Sequence, residues 1–250
     1  MKIYKNYIFD FYGTLVDIRT DENKLELWEY LADLYNSFGC TYRARQLKSC
    51  FETIASEEEI NLIRTSPHEF VEIDLEKVFV RLLTDAKCTR QTLNTPKDLK
   101  TFGQMIANIF RILSREKLEA YPNTLSVLDT LQEKGSHLII LSNAQQVFTQ
   151  AEIEQTGCAD FMEKIYISSD YQMKKPEPAF LQMVMEQNNF NPEETLLVGN
   201  DLTTDIAIAQ ELGVDAVLLN TFSYGSQEID AYRSKGWDFM VIEDIAELVQ

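Results

Sequence analysis

From about residue 118 onward, short apolar runs alternate with stretches whose apolar residues recur every three or four positions. The runs at 137–142 (HLIILS), 164–168 (KIYIS), 195–199 (TLLVG), 215–220 (DAVLLN) and 238–242 (DFMVI) read as short buried strands. Between the first of these and the preceding segment, Leu125, Val127, Leu128 and Leu131 follow helical spacing, and Gly135 supplies a stop. Such alternation predicts right-handed βαβ units and an α/β fold, a doubly wound parallel sheet with helices on both faces. A further strand is expected at 7–11 (YIFDF), alone at the start of the chain.

Residues 17–117 break that rhythm. Leu25, Leu27, Trp28, Leu31 and Leu34 mark one amphipathic helix, and 47–63, 70–83 and 102–113 read similarly, with no strand expected among them. The predicted organisation is a core domain made of 1–16 and 117–250, with a helical domain, 17–116, inserted after the first strand. The aromatic residues Trp28, Tyr30 and Tyr35 read as packing between the inserted helices.

Composition narrows the possible partners. Acids outnumber bases 40 to 23, for a net charge of −17. A nucleic-acid or anionic-membrane binder needs a basic face, so neither partner is expected. The charge is uneven: 17–116 holds 17 acids and 14 bases, whereas the rest carries 23 acids and 9 bases. No run approaches the ~20 apolar residues of a membrane span, and the first residues lack the apolar stretch of a signal peptide. Cys40, Cys50, Cys88 and Cys158 form no ligand cluster, which suits thiols in a reducing compartment, and a cytoplasmic location is expected. His68 and His137 are solitary and read as structural.

Ligands of a parallel α/β sheet bind outside the carboxyl ends of its strands. Four predicted strand ends carry polar groups. The first is Asp10-Phe11-Tyr12-Gly13-Thr14, which offers a carboxylate nucleophile, a glycine turn and a hydroxyl. Ser142 and Asn143 follow the second run and suit an anion's oxygens or a helix cap. Lys174 and Lys175 precede Pro176, where an ammonium could face a phosphate or carboxylate. Finally, Gly199-Asn200-Asp201 leads to Asp205, and two acids four apart on one helix face suit Mg²⁺ or complement the helix terminus.

This ordered set resembles the haloacid dehalogenase (HAD) superfamily, whose motifs are Asp-x-x-Gly-Thr, a Ser/Thr at the second strand end, a Lys before Pro, and a terminal acidic motif. The resemblance covers nearly the whole chain. It implies a Rossmann-like core and places the inserted helices as a type-1 cap. Asp10 becomes the nucleophile and Lys175 the neutralising cation, with Thr14, Ser142 and Asn143 as substrate contacts. Mg²⁺ would be held by Asp10, the Tyr12 main-chain carbonyl, and Asp201 or Asp205. The substrate implied is small and anionic, a phosphorylated metabolite.

Two positions depart from the phosphatase pattern. Tyr12 stands where phosphatases of the family carry an acid/base Asp, and a phenol with a pKa near 10 is no general base at neutral pH. Asn200 follows Gly199 where the family has Asp. Tyr12 resembles the 2-haloacid dehalogenase branch, in which halide leaves without proton or metal. The expected activity is therefore Mg²⁺-dependent phosphate hydrolysis, with a dehalogenase or a catalytically weak phosphate-binding protein as alternatives.

Overall fold

The computed structural model describes residues 2–86 and 96–250; Cys88 lies outside the described residues. The elements run in chain order as β1 (Asn6–Phe9), β2 (Val16–Thr20), α1 (Leu25–Ser37), α2 (Ala44–Thr65), α3 (Leu75–Thr84), α4 (Leu99–Ser114) and β3 (Arg115–Ala120). There follow α5 (Thr124–Glu133), β4 (His137–Ser142), α6 (Gln146–Gln155), β5 (Lys164–Ile167), α7 (Ser168–Tyr171), α8 (Pro178–Asn188) and β6 (Thr195–Gly199). The chain closes with α9 (Ala207–Glu211), β7 (Asp215–Leu219), α10 (Ser226–Arg233) and β8 (Met240–Ile242).

Six strands form one parallel sheet in the order β5-β4-β1-β6-β7-β8. Alternate residues of each strand face opposite sides, as the pleat requires. Tyr7, Phe9, Ile140 and Val198 join Val127, Leu128 and Leu131 of α5 in one layer. Ile8, Ile139, Leu141 and Leu197 meet Phe180, Leu181 and Val184 of α8 in the other. Each fully buried large side chain contributes roughly 1.5–3 kcal/mol, so both layers together hold the sheet between helices. The chain leaves β1 for β4 on one side and later returns to β6 on the other. That reversal opens a crevice at the carboxyl ends of β1 and β6.

The chain divides into two compact units: Met1–Ile18, His68–Glu72 and Leu118–Gln250, and Arg19–Pro67 with Ile73–Lys117. The second is helical and has its own aromatic core. Phe51 stacks on Phe79 and Phe110 with ring centroids 5.4 and 5.6 Å apart, and Trp28 lies 5.3 Å from Phe51. Trp28 and Tyr35 are buried there, whereas Tyr30 is exposed.

The structure differs from the sequence reading in two places. Strands β2 and β3 pair as a two-stranded ribbon where no strand was expected. Helix α3 starts at Leu75 rather than near residue 70, because Asp74 caps it by accepting the Glu76 N–H at 2.9 Å. Residues 68–72 are consequently an irregular strap.

Candidate active site

Asp10 is the first residue past β1. Phe9 lies opposite both Ile140 of β4 and Val198 of β6, and the Asp10 N–H donates to the Val198 carbonyl at 2.9 Å. The ends of β1, β4 and β6 therefore share one edge, and the four polar segments converge on it. Gly13 has φ +81°, and a Cβ there would sit 2.1 Å from Asn200 Nδ2. Only glycine lets the Asp10–Thr14 loop turn so closely against the end of β6.

Lys175 is the centre of the constellation. Its Nζ donates to Asp10 Oδ1 at 2.7 Å, Asp205 Oδ1 at 2.6 Å and the Leu141 carbonyl at 2.8 Å. Burial alone would depress this ammonium, but the Asp10 and Asp205 carboxylates outweigh it and raise the pKa. Burial pushes the Asp205 carboxyl up to about 6, with Lys175 opposing the shift. The cation thus stays charged between two carboxylates.

The main chain of Lys175 is fixed by Asn143, whose Oδ1 accepts the Lys175 N–H at 2.8 Å while its Nδ2 donates to the Lys175 carbonyl at 2.9 Å. The Lys175–Pro176 peptide is cis. Asn143 was expected to touch substrate; both ends of its amide instead hold this turn. Thr14 Oγ1 donates to Asp10 Oδ2 at 3.1 Å. Ser142 Oγ behaves differently. It is buried at the end of β4 and has no hydrogen-bond partner among the described residues. A native protein keeps such orphans rarely, and an oxygen-rich ligand at this edge would satisfy it.

The acidic motif separates into two roles. Asp201 caps the turn that follows β6, with Oδ1 accepting the Thr203 N–H at 2.6 Å and the Thr204 N–H at 3.1 Å. That turn, Leu202–Ile206, is widened to π geometry. Asp205 folds back under the strand end, where its Oδ2 accepts the Asn200 and Asp201 N–H groups, each at 3.1 Å. Gly199 makes this possible, since a Cβ there would meet the Asp205 carboxyl carbon at 2.2 Å. The two acids expected on one helix face are engaged differently: Asp205 has both oxygens bonded, and the half-buried Asp201 lies nearer the solvent.

A family model described as haloacid dehalogenase-like hydrolase matches residues 7–219. The chain belongs to that family. It is 29% identical over 131 residues to glyceraldehyde 3-phosphate phosphatase of Methanothermobacter thermautotrophicus, a match covering 52% of this chain and 58% of that protein. It is 25% identical over 214 residues to (S)-2-haloacid dehalogenase 4A of Burkholderia cepacia, covering 85% and 81%. The chain spans about half the length of the phosphatase relatives it matches. Among solved structures, 2-haloacid dehalogenase of Pseudomonas syringae pv. Tomato DC3000 superposes with TM-score 0.63 at 19% identity over 89% of each chain, a likeness of fold.

Three residues around the candidate site were not singled out from the sequence. Thr221 Oγ1 donates to the Gly13 carbonyl at 2.5 Å and accepts from Asn200 Nδ2 at 3.2 Å, tying the β7 exit to the Asp10–Thr14 loop. Glu152, buried on α6, accepts the Tyr12 phenol at 2.5 Å. Glu177 grips residues 68–72, as described below. Thr221 follows the 215–220 run and Glu177 stands between Pro176 and Pro178, but neither position has a residue type that announces its partner.

Proposed function

We propose that the protein hydrolyses a small phosphorylated metabolite, with Asp10 as the nucleophile. The observation that carries this reading is the unpartnered Ser142 hydroxyl beside the Asp10–Lys175–Asp205 cluster, a donor and a cation arranged at one strand edge for an anion's oxygens. Asp10 attacks phosphorus, the ester oxygen departs with its electron pair, and water then cleaves the aspartyl-phosphate to phosphate and free Asp10. Ser142 holds a phosphoryl oxygen, while Lys175 and Thr14 orient the carboxylate.

The donor set suits Mg²⁺, an ion that favours oxygen ligands and is commonly bound by one or two carboxylates with water and phosphate completing its shell. Among the described residues no group of three acidic, His or Cys side chains is arranged around one point. The carboxylates of Asp10 and Asp201 and the Tyr12 carbonyl would hold the ion; Asp205 is committed to Lys175 and the main chain. The ion would supply charge neutralisation at the transferring phosphoryl group.

Tyr12 sets the leaving group. Its phenol donates to Glu152 and lies 3.0 Å from Thr149 Oγ1, so position 12 delivers no proton to a departing alkoxide. Acyl and aryl phosphates should therefore outrun alkyl esters by about 10²-fold or more. The test is phosphate release across esters of graded leaving-group pKa, with and without EDTA, in wild type and Asp10→Asn. Loss of turnover in EDTA and in the variant supports the reading; EDTA-insensitive turnover sinks it. The same phenol, engaged by Glu152, favours a second reading, 2-haloacid dehalogenation, in which halide needs no proton. Free halide released from a 2-haloacid panel, without phosphate release, would establish that alternative.

A further inference from the structure

Residues 68–72 connect α2 to α3, yet they belong to the α/β unit. Glu177 holds them there. Its Oε2 accepts the main-chain N–H groups of Glu69 and Phe70 at 2.9 and 3.2 Å, and its Oε1 lies 3.5 Å from His68 Nδ1. The Phe70 carbonyl in turn accepts the Lys174 N–H at 2.9 Å. At the strap's other end, Glu72 accepts from Ser168 Oγ at 2.9 Å and Gln145 Nε2 at 3.2 Å, and Ser168 Oγ accepts the Ala144 N–H at 2.8 Å. The strap is thereby fastened both to the turn that carries Lys175 and to the β4 exit that carries Ser142.

Glu177 occupies the N-cap position of α8, where a side chain ordinarily satisfies its own helix, but its carboxylate makes no such bond. It reaches 107 positions back along the chain instead. The Lys174–Lys175 main chain is consequently held from two sides, by Asn143 at Lys175 and by Phe70 at Lys174.

We propose that Glu177 is a positioning residue: by gripping the His68–Glu72 strap it seats the Lys174–Pro176 turn, and so places the Lys175 ammonium between Asp10 and Asp205. Its effect on turnover rests on the hydrolase reading above, whereas its effect on the turn does not. A misplaced ammonium would lower the rate of the chemical step rather than weaken substrate capture, because Lys175 Nζ bonds the Asp10 carboxylate itself.

The test compares Glu177→Ala with Glu177→Gln in the full chain, using hydrogen–deuterium exchange and steady-state kinetics on the best phosphate ester. Glu177→Ala should speed exchange about tenfold or more in peptides covering both 68–72 and 172–176, and lower kcat by about 10- to 100-fold at nearly constant KM. Glu177→Gln keeps an acceptor oxygen and should restore protection and most of kcat. Unchanged exchange at 172–176, a rise in KM alone, or a Gln variant no better than Ala would overturn the proposal. Should the Ala variant not fold, Glu177→Asp, one methylene short of the strap, should show the same two losses. If the wild type turns over neither phosphate esters nor haloacids, the functional reading falls, and the exchange measurements alone decide the coupling.

Discussion

Ser142 holds a hydroxyl in the interior with nothing described to bond it, which sets function against stability at a single atom. Ser142→Ala removes an unsatisfied buried donor and should leave the protein equally stable or more stable by about 1 kcal/mol, read as urea midpoint. The same change should lower kcat/KM by about 10²-fold, the usual cost of losing one donor to developing charge. A variant that unfolds more readily would show the hydroxyl to be structurally bonded instead. Tyr12→Phe is the converse case. It strips a donor from the buried Glu152 carboxylate and should destabilise by about 1–3 kcal/mol, with kcat changed little because the phenol is engaged by Glu152 rather than by Asp10. Asp205 adds a pH signature. Its folded pKa of about 6 lies above the ordinary carboxylate value of 3.8, so the folded state holds this proton to higher pH than the unfolded state does. That contribution favours folding at low pH and is lost as pH rises from about 4 to 6. Relative to wild type, Asp205→Asn should therefore gain stability as pH is raised across that window, and a parallel pair of curves would refute the assignment.

At the scale of elements, legibility followed burial. Strands β4 and β6 are five or six residues with nearly every side chain buried, so their apolar runs announced them. The ribbon of β2 and β3 is VDIRT and REKLEA, mostly half-exposed or exposed, and its polar composition hid it. Phe70 and Val71 extended the apolar pattern of α3 backward past its true start, although Asp74 before Leu75 is a cap signal that could have placed the boundary. The site divides in the same way. Asp10, Ser142, Lys175 and Asp205 each follow a recognisable strand or precede a proline. Thr221 follows the β7 run and Glu177 precedes Pro178, yet the roles of Thr221, Glu152 and Glu177 were hidden, because these relations span 208, 140 and 107 positions and exist only in the folded chain. A helix–helix contact gives a sharper element-scale prediction. Gly103 of α4 approaches α3 so closely that a Cβ would lie 2.8 Å from the Glu76 carbonyl oxygen, a backbone atom that cannot swing aside. Gly103→Ala should cost about 1–3 kcal/mol despite alanine's higher helix propensity, and a thermal midpoint at or above wild type would contradict the close crossing.

Across the whole molecule, the net charge of −17 is concentrated outside residues 17–116, where acids exceed bases 23 to 9. Lys175 offsets one of the two charges of Asp10 and Asp205, and the site holds only Asp10, Asp201 and Asp205 of these 23 acids, so most of this excess lies elsewhere. A dianionic phosphate ester approaching the carboxyl edge of the sheet must still cross that negative field. Long-range repulsion between exposed charges is screened beyond about 10 Å at 0.1 M salt, whereas the hydrogen bonds formed inside the site are not. At saturating Mg²⁺, kcat/KM for a dianionic ester should consequently rise about two- to fivefold between 10 and 150 mM KCl, with kcat nearly constant. A singly charged substrate should respond less, since the work against the field scales with its charge. A fall in kcat/KM with added salt would mean that a basic surface steers the substrate inward, and that the acidic excess faces elsewhere.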